Sequence, residues 1–202
     1  MNTTPQQLIV ISGRSGSGKS TALHVLEDLG YYCIDNLPAS LIPNLVDRTK
    51  EQGLSSKIAV SIDARNSSID LERFPEAVAT IKDVEIRVIF LDASGPTLIK
   101  RFSETRRKHP LSDHQLGLKE ALEVESHLLD GLAMMASLKI DTTQMTLHEL
   151  RDVVRDRVAN SSQENTLMFQ SFAFKHGVPV DADFVFDVRF LPNPHWVPHL
   201  RP

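Results

Sequence analysis

Leu8-Ile9-Val10-Ile11-Ser12-Gly13-Arg14-Ser15-Gly16-Ser17-Gly18-Lys19-Ser20 is the stretch whose reading decides the fold. Leu8 to Ile11 is a short unbroken apolar run, the pattern of a strand buried on both faces. Gly13 to Ser20 fits G-x-x-x-x-G-K-[ST]. Beyond Ser20, the apolar residues Ala22, Val25, Leu26 and Leu29 recur at helical spacing, and Gly30 stands where a helix-ending glycine belongs. Strand, glycine loop and helix therefore follow one another in the order a phosphate-binding loop requires. Gly13, Gly16 and Gly18 lack a Cβ, so the backbone can curl and aim several N–H groups at one anion. The helix N-terminus adds its positive dipole end at the same place.

This pattern implies a nucleoside triphosphate site formed by Gly13, Arg14, Ser15, Gly16, Ser17, Gly18, Lys19 and Ser20. Lys19 is expected to reach the β- and γ-phosphates, and the Ser20 hydroxyl to ligate Mg²⁺.

Outward from the loop, strand patterns alternate with helix patterns. Gly30 to Ile34, Lys57 to Asp63, Val84 to Asp92 and Leu138 to Thr143 read as four further strands. Helices are expected from about Ala39 to Gly53, around Pro75 to Ile81, from Pro96, over Leu118 to Leu132, and after the capping box Thr146-x-x-Glu149. The polar segment His109 to Gln115 reads as a mobile loop. Alternation of this kind predicts right-handed βαβ units and a parallel sheet with helices on both faces, the kinase-like P-loop α/β plan. In such sheets ligands bind beyond the carboxyl ends of the strands. That rim would carry the glycine loop together with Asp35, Asp63 to Asn66 and Asp92.

The first domain is expected to span residues 1–159, followed by a polar linker over 160–165. Residues 166–202 then read as the beginning of a second α/β domain, with alternating strands over Thr166 to Lys175 and Asp183 to Phe190.

Asp63 is the candidate Walker B carboxylate, orienting Mg²⁺ through water, with Asp92 as the competing choice; either could instead cap the helix that follows. Arg101, Arg106, Arg107 and Lys108 form a basic cluster. It could close on a γ-phosphate as a lid, or simply be a solvated helix end favoured by the dipole. Asp35 could meet a second substrate or form a turn.

Composition excludes several classes. Lys+Arg 22 against Asp+Glu 26 leaves a net charge of -4, which does not advertise a polyanion partner. MNTTPQQ has neither the basic nor the apolar region of a signal peptide, and no apolar run approaches the roughly 20 residues of a membrane span. Cys33 alone cannot make an intramolecular disulfide. A cytoplasmic protein is expected.

GRSGSGKS, Gly30 to Pro38 (GYYCIDNLP), the D-x-R-N of Asp63, Ala64, Arg65 and Asn66, and RR-x-HPL from Arg106 resemble the RapZ family of P-loop nucleotide-binding proteins. The segment Ser171 to Trp196 (SFAFKHGVPVDADFVFDVRFLPNPHW) is the most specific match. The resemblance implies ATPase and GTPase activity. ATP would bind at Gly13 to Ser20, and Asp63 to Asn66 would serve as a guanine-nucleotide motif. Physically, however, Asp63 to Asn66 belongs near phosphate or Mg²⁺ before it belongs on a base.

Some family members act as adaptors between a regulatory small RNA and an endoribonuclease and sense an amino-sugar phosphate. Asp187, Arg189 and His195 match positions near that sugar-phosphate pocket. Family members continue past Pro202, so the chain is expected to lack most of the C-terminal domain. Other readings of the residues are a small-molecule kinase using ATP and a nucleotide sensor without turnover.

Phe169, Phe172, Phe174, Phe184, Val185, Phe186 and Phe190 crowd apolar surface into a piece too short to enclose it. Burying one such side chain is worth roughly 1.5–3 kcal/mol, so residues 166–202 are expected to complete their packing through a partner, a second copy or the absent C-terminal half, and the resemblance, whose family members assemble through this domain, favours a second copy. Light scattering across dilution should report a concentration-dependent oligomer. A strict monomer with these phenylalanines shielded would contradict the expectation.

Overall fold

The apolar run that opens the chain forms β1 (Gln6–Gly13), and both of its faces are covered. The computed structural model describes residues 6–53, 55–113, 116–159, 171–178, 182 and 184–191. After β1 come α1 (Lys19–Asp28), β2 (Tyr32–Ile34), a 3₁₀ turn (Ala39–Leu41), α2 (Ile42–Gln52) and β3 (Lys57–Ser61). Next are α3 (Ser68–Glu72), α4 (Phe74–Ala79), β4 (Val84–Asp92) and α5 (Gly95–Thr105). The α/β unit closes with α6 (Leu118–Met135), β5 (Leu138–Asp141), α7 (Leu147–Val153) and a π-helical turn to Ala159.

All pairings are parallel, in the order β2-β3-β1-β4-β5, with β1 in the centre. Successive β1 side chains point to opposite faces, which explains why an unbroken apolar run was needed there. Leu8 and Val10 join Ile58, Val60 and Val88 beneath α2, α3, α4 and α6, through Ile42, Val46, Leu71, Phe74, Leu129 and Leu132. Ile9 and Ile11 join Ala59, Ile89 and Leu91 on the other face, beneath α1 and α7, through Ala22, Leu26, Leu150 and Val154. A smaller cluster of Leu98, Phe102 and Leu122 fastens α5 to α6. Among the described residues, no helix is long and apolar enough to cross a membrane.

The local signals acted as expected at α2, which ends on a left-handed Gly53, and at α7, where Thr146 and Glu149 form the complete capping box. Three readings need correction. The stretch between Asn66 and Pro75, where no helix was expected, holds α3, because the Ser67 side chain accepts from the Asp70 N–H and caps it. Five residues with Leu71 as their one buried side chain are too few to show a helical period.

His109, read as part of a mobile polar loop, is 2% exposed and packed against the Phe102 ring. Strands were expected over Thr166 to Lys175 and Asp183 to Phe190. The described residues of those stretches contain no strand, only a 3₁₀ turn at Phe174–His176. Alternating side chains mark a face, but a strand also needs a neighbour for its backbone, and none of the described strands lies against them. Residues 160–170, Asp183 and residues 192–202, including the linker, Phe169, His195 and Trp196, lie outside the described residues.

At the end of β1 the backbone leaves the sheet over β4. Gly13 has φ 142°, and a Cβ there would lie 1.9 Å from the Leu91 carbonyl oxygen. Backbone cannot swing aside as a side chain would. Gly13→Ala should therefore destabilise the fold by about 3 kcal/mol, read as a lower denaturant midpoint with an unchanged slope. A midpoint equal to that of the parent would show that β1 and β4 are not so closely held.

Candidate functional site

The glycine loop runs from the carboxyl end of β1 into the first turn of α1. Gly18, left-handed at φ 107°, is the N-cap residue, so the helix starts at Lys19 with no side-chain cap on its exposed N–H groups. Lys19 is largely buried, and its Nζ donates to the carbonyl oxygens of Gly13 (2.7 Å) and Arg14 (3.2 Å). Burial lowers its affinity for the proton; the charges of Asp63, Glu125 and Asp35 oppose that loss. Ser20 is exposed on the same turn.

Asp63 follows β3, the strand beside β1, at 4% exposure. Burial works to raise its carboxyl, but hydrogen bonds from Arg65 and the charges of Lys19 and Arg65 outweigh it and hold the group below the usual carboxylate range. Arg65 reaches back as a fork, Nε to Oδ1 at 3.0 Å and Nη2 to Oδ2 at 2.7 Å, while its backbone N–H also donates to Oδ1. The same Nη2 also lies 3.9 Å from the exposed Asp35 carboxylate. Ser61 ties the ends of β2 and β3 together: its hydroxyl donates to Asp35 and accepts from the Asn36 N–H.

Ala64 is buried, and Asn66 accepts from the Ala39 N–H and approaches Asn36 Oδ1. The D-x-R-N segment thus spends its side chains on holding the rim together. The structure brings Lys19, Asp63 and Arg65 into one electrostatic group.

The outside of the loop is gripped by residues from the far half of the chain. Arg14 donates through Nε to Asp92 Oδ1 at 2.7 Å and through Nη2 to the Ala93 carbonyl at 2.5 Å, which commits Asp92, the alternative Walker B residue, to an ion pair. Thr142 Oγ1 lies 3.0 Å from the Ser17 carbonyl oxygen. Arg101, from the basic cluster, turns inward and donates to the Gly16 carbonyl and to Thr142. Arg106 and Arg107 are instead exposed just past the end of α5, with Arg106 in the left-handed region at φ 51°. The structure does not bring them to the loop.

Glu125 of α6 is fully buried and meets Ser15 and His109. Sequence reading passed over it as one of several glutamates on a mixed helix. The signal was there, since Ala121, Leu122, Glu125, Leu129 and Leu132 form the helix's one buried stripe, with a carboxylate where an apolar side chain would be ordinary.

Farther on, Arg189 forms the same kind of fork on Asp187, Nη2 to Oδ2 at 2.5 Å, and lies over the Phe174 ring at 4.1 Å. The Arg189 hydrogen bonds hold the Asp187 carboxyl down at about 2.

Comparison with known proteins gives this architecture its kin. Residues 6–162 match the RapZ-like N-terminal domain, and residues 165–202 match the RapZ C-terminal domain. A nucleotide-binding protein of Cellvibrio japonicus is 53% identical over 199 residues, covering 96% of this chain and 67% of that protein. One from Pseudomonas aeruginosa strain LESB58 is 54% identical over 200 residues, covering 96% and 70%. Among solved structures, a shikimate kinase from Acinetobacter baumannii in complex with shikimate superposes with a TM-score of 0.51 at 16% identity, over 80% of this chain and 97% of that one, a likeness of fold. With its phosphate-loop core and its sequence matched along nearly its whole length, the chain belongs to the RapZ-like family of nucleotide-binding proteins.

Proposed function

We propose that the chain binds ATP or GTP with Mg²⁺ at Gly13 to Ser20 and hydrolyses it slowly, as a regulatory module. The observation that carries this reading is the loop itself. Gly18 turns it directly into a helix N-terminus that carries no side-chain cap, with a buried lysine folded beside it. Hydrolysis of a triphosphate adds water at the γ-phosphorus as the bond to the bridging oxygen breaks, and charge passes to the departing diphosphate. The positive end of α1 and the Lys19 ammonium, once turned from the Gly13 and Arg14 carbonyls, would supply positive potential for that charge.

The residues fit a magnesium ion. The Ser20 hydroxyl is exposed on the first turn of α1, and the buried Asp63 carboxylate, with both oxygens engaged by Arg65, would act through a water. Bound there, Mg²⁺ would neutralise phosphate charge. Arg101 bonds the Gly16 carbonyl and so shapes the loop, whereas Arg106 and Arg107 would have to move to serve a γ-phosphate. ATP and GTP are both retained because Asn66 and Asp63 are committed to the rim, leaving base choice to other residues. Coupling of turnover to an RNA and an endoribonuclease enters this proposal through family likeness. Pairing of residues 166–202 with a second copy is supported by Phe184, Phe186 and Phe190, each about four-fifths exposed.

A second reading, phosphoryl transfer from ATP to a small hydroxyl compound, is favoured by the exposed Asp35 carboxylate beside Arg65 on the same rim. The exposed carboxylate could accept a hydroxyl proton.

Titration with ATP and GTP should show binding that Lys19→Ala weakens at least tenfold, and phosphate release should fall by about 10²-fold or more, the usual worth of one fixed electrostatic contact. Turnover unchanged in Lys19→Ala would remove the loop lysine from the mechanism. Free phosphate as the product, rather than a phosphorylated metabolite, is expected when candidate polyols are added; a phosphorylated metabolite would favour the second reading.

A further inference from the structure

Glu125, His109 and Ser15 form a buried polar unit that no step above uses. Ser15 donates twice to the Glu125 carboxylate, from its N–H at 2.8 Å and its hydroxyl at 2.7 Å. His109 Nε2 lies 3.0 Å from Glu125 Oε2. The His109 Nδ1 accepts from the Leu111 N–H at 3.1 Å, which leaves Nε2 to carry the hydrogen given to Glu125. Burial works to raise the Glu125 carboxyl, yet the bonds from His109 and Ser15 and the charge of Lys19 outweigh it and keep the carboxyl below its ordinary range.

Keeping a charge here is costly, and an apolar side chain filling the same space would generally hold the helix as well or better. What the carboxylate adds is geometry. It fixes the peptide plane of Ser15, inside the glycine loop and immediately ahead of Gly16. Through His109 it also fixes the root of the α5–α6 connection, directly after the exposed basic run Arg106-Arg107-Lys108. Gly16 also leans on α5, where a Cβ would sit 3.5 Å from Leu98 and Phe102, and Phe102 packs on the His109 ring. Loop and connection therefore share one buried junction made of discrete bonds.

We infer that Ser15, Glu125 and His109 act as one positioning unit, through which the state of the phosphate loop sets the placement of the Arg106–Lys108 segment, and the reverse. The inference rests on the nucleotide-site reading for its purpose, but its physical content is a reciprocal coupling that the unliganded full chain already has.

The test uses two distant readouts. Ser15→Ala, a change on the loop, should speed tryptic cleavage after Arg106, Arg107 and Lys108 roughly tenfold, the worth of one hydrogen bond to a charged group. Cleavage after Arg48 in α2 serves as the reference for global opening. His109→Leu, a change on the connection, should raise amide exchange of Ser15 to Ser17 by a similar factor. His109→Gln, whose amide can still donate to Glu125, should restore part of the protection. Acceleration confined to the mutated side, or matched by cleavage after Arg48, would overturn the coupling. Both readouts are taken without nucleotide, so they succeed or fail independently of the Lys19→Ala titration that tests what the loop binds.

Discussion

The structure turns on the crowding at the end of its central strand. β1 is hydrogen-bonded on both sides, and where it leaves the sheet its backbone passes so close to Leu91 that only a glycine fits at position 13. That forced exit bends the chain into the loop, and Gly18, also left-handed, turns it into α1. Everything chemically interesting is arranged around this bend. Asp63 comes from the strand on one side, Asp92 from the strand on the other, and Lys19 from the helix that the bend launches.

Charge around the bend is disposed in two ways. On the β3 side, Asp63, Arg65 and Asp35 alternate in sign, so a buried carboxylate remains ionised beside Lys19 without leaving the lysine as the lone counter-charge. On the β4 side the cations are used up: Arg14 by Asp92 and Ala93, and Arg101 by Gly16 and Thr142 carbonyls. Arginine suits this work because its planar fork satisfies two acceptors at once and stays charged when partly buried. Guanidinium groups thus tie the loop to its neighbours, Arg14 through Asp92 and Arg101 through the Gly16 carbonyl.

Much of this was legible in the sequence because it is written locally. The apolar run, the spacing of the glycines, the helix face after Ser20 and the Thr146–Glu149 box each specify their geometry within a dozen residues. Asp63 and Asp92 were legible as strand-end carboxylates, but not which of them would be consumed by Arg14, since that depends on two side chains meeting across the sheet. Glu125 and His109 were missed for the same reason. One looked like a surface glutamate and the other like a loop histidine, and only the packing of α6 on the loop joins them. α3 was too short to show a period. The alternating pattern expected over Thr166 to Lys175 and Asp183 to Phe190 carried no information about a partner strand.

The loop's gripping contacts also bear on how the protein comes to be folded. Arg14 finds Asp92 78 residues later, Ser15 finds Glu125 110 residues later, and Ser17 finds Thr142 125 residues later. The loop is therefore given its final shape by residues from the later half of the α/β unit. Contacts so far apart in the chain are entropically slow to close. Until β4, α6 and β5 have docked, the glycine loop lacks these three contacts. The final shape of the loop is in that sense completed late, by residues that lie far along the chain from its motif.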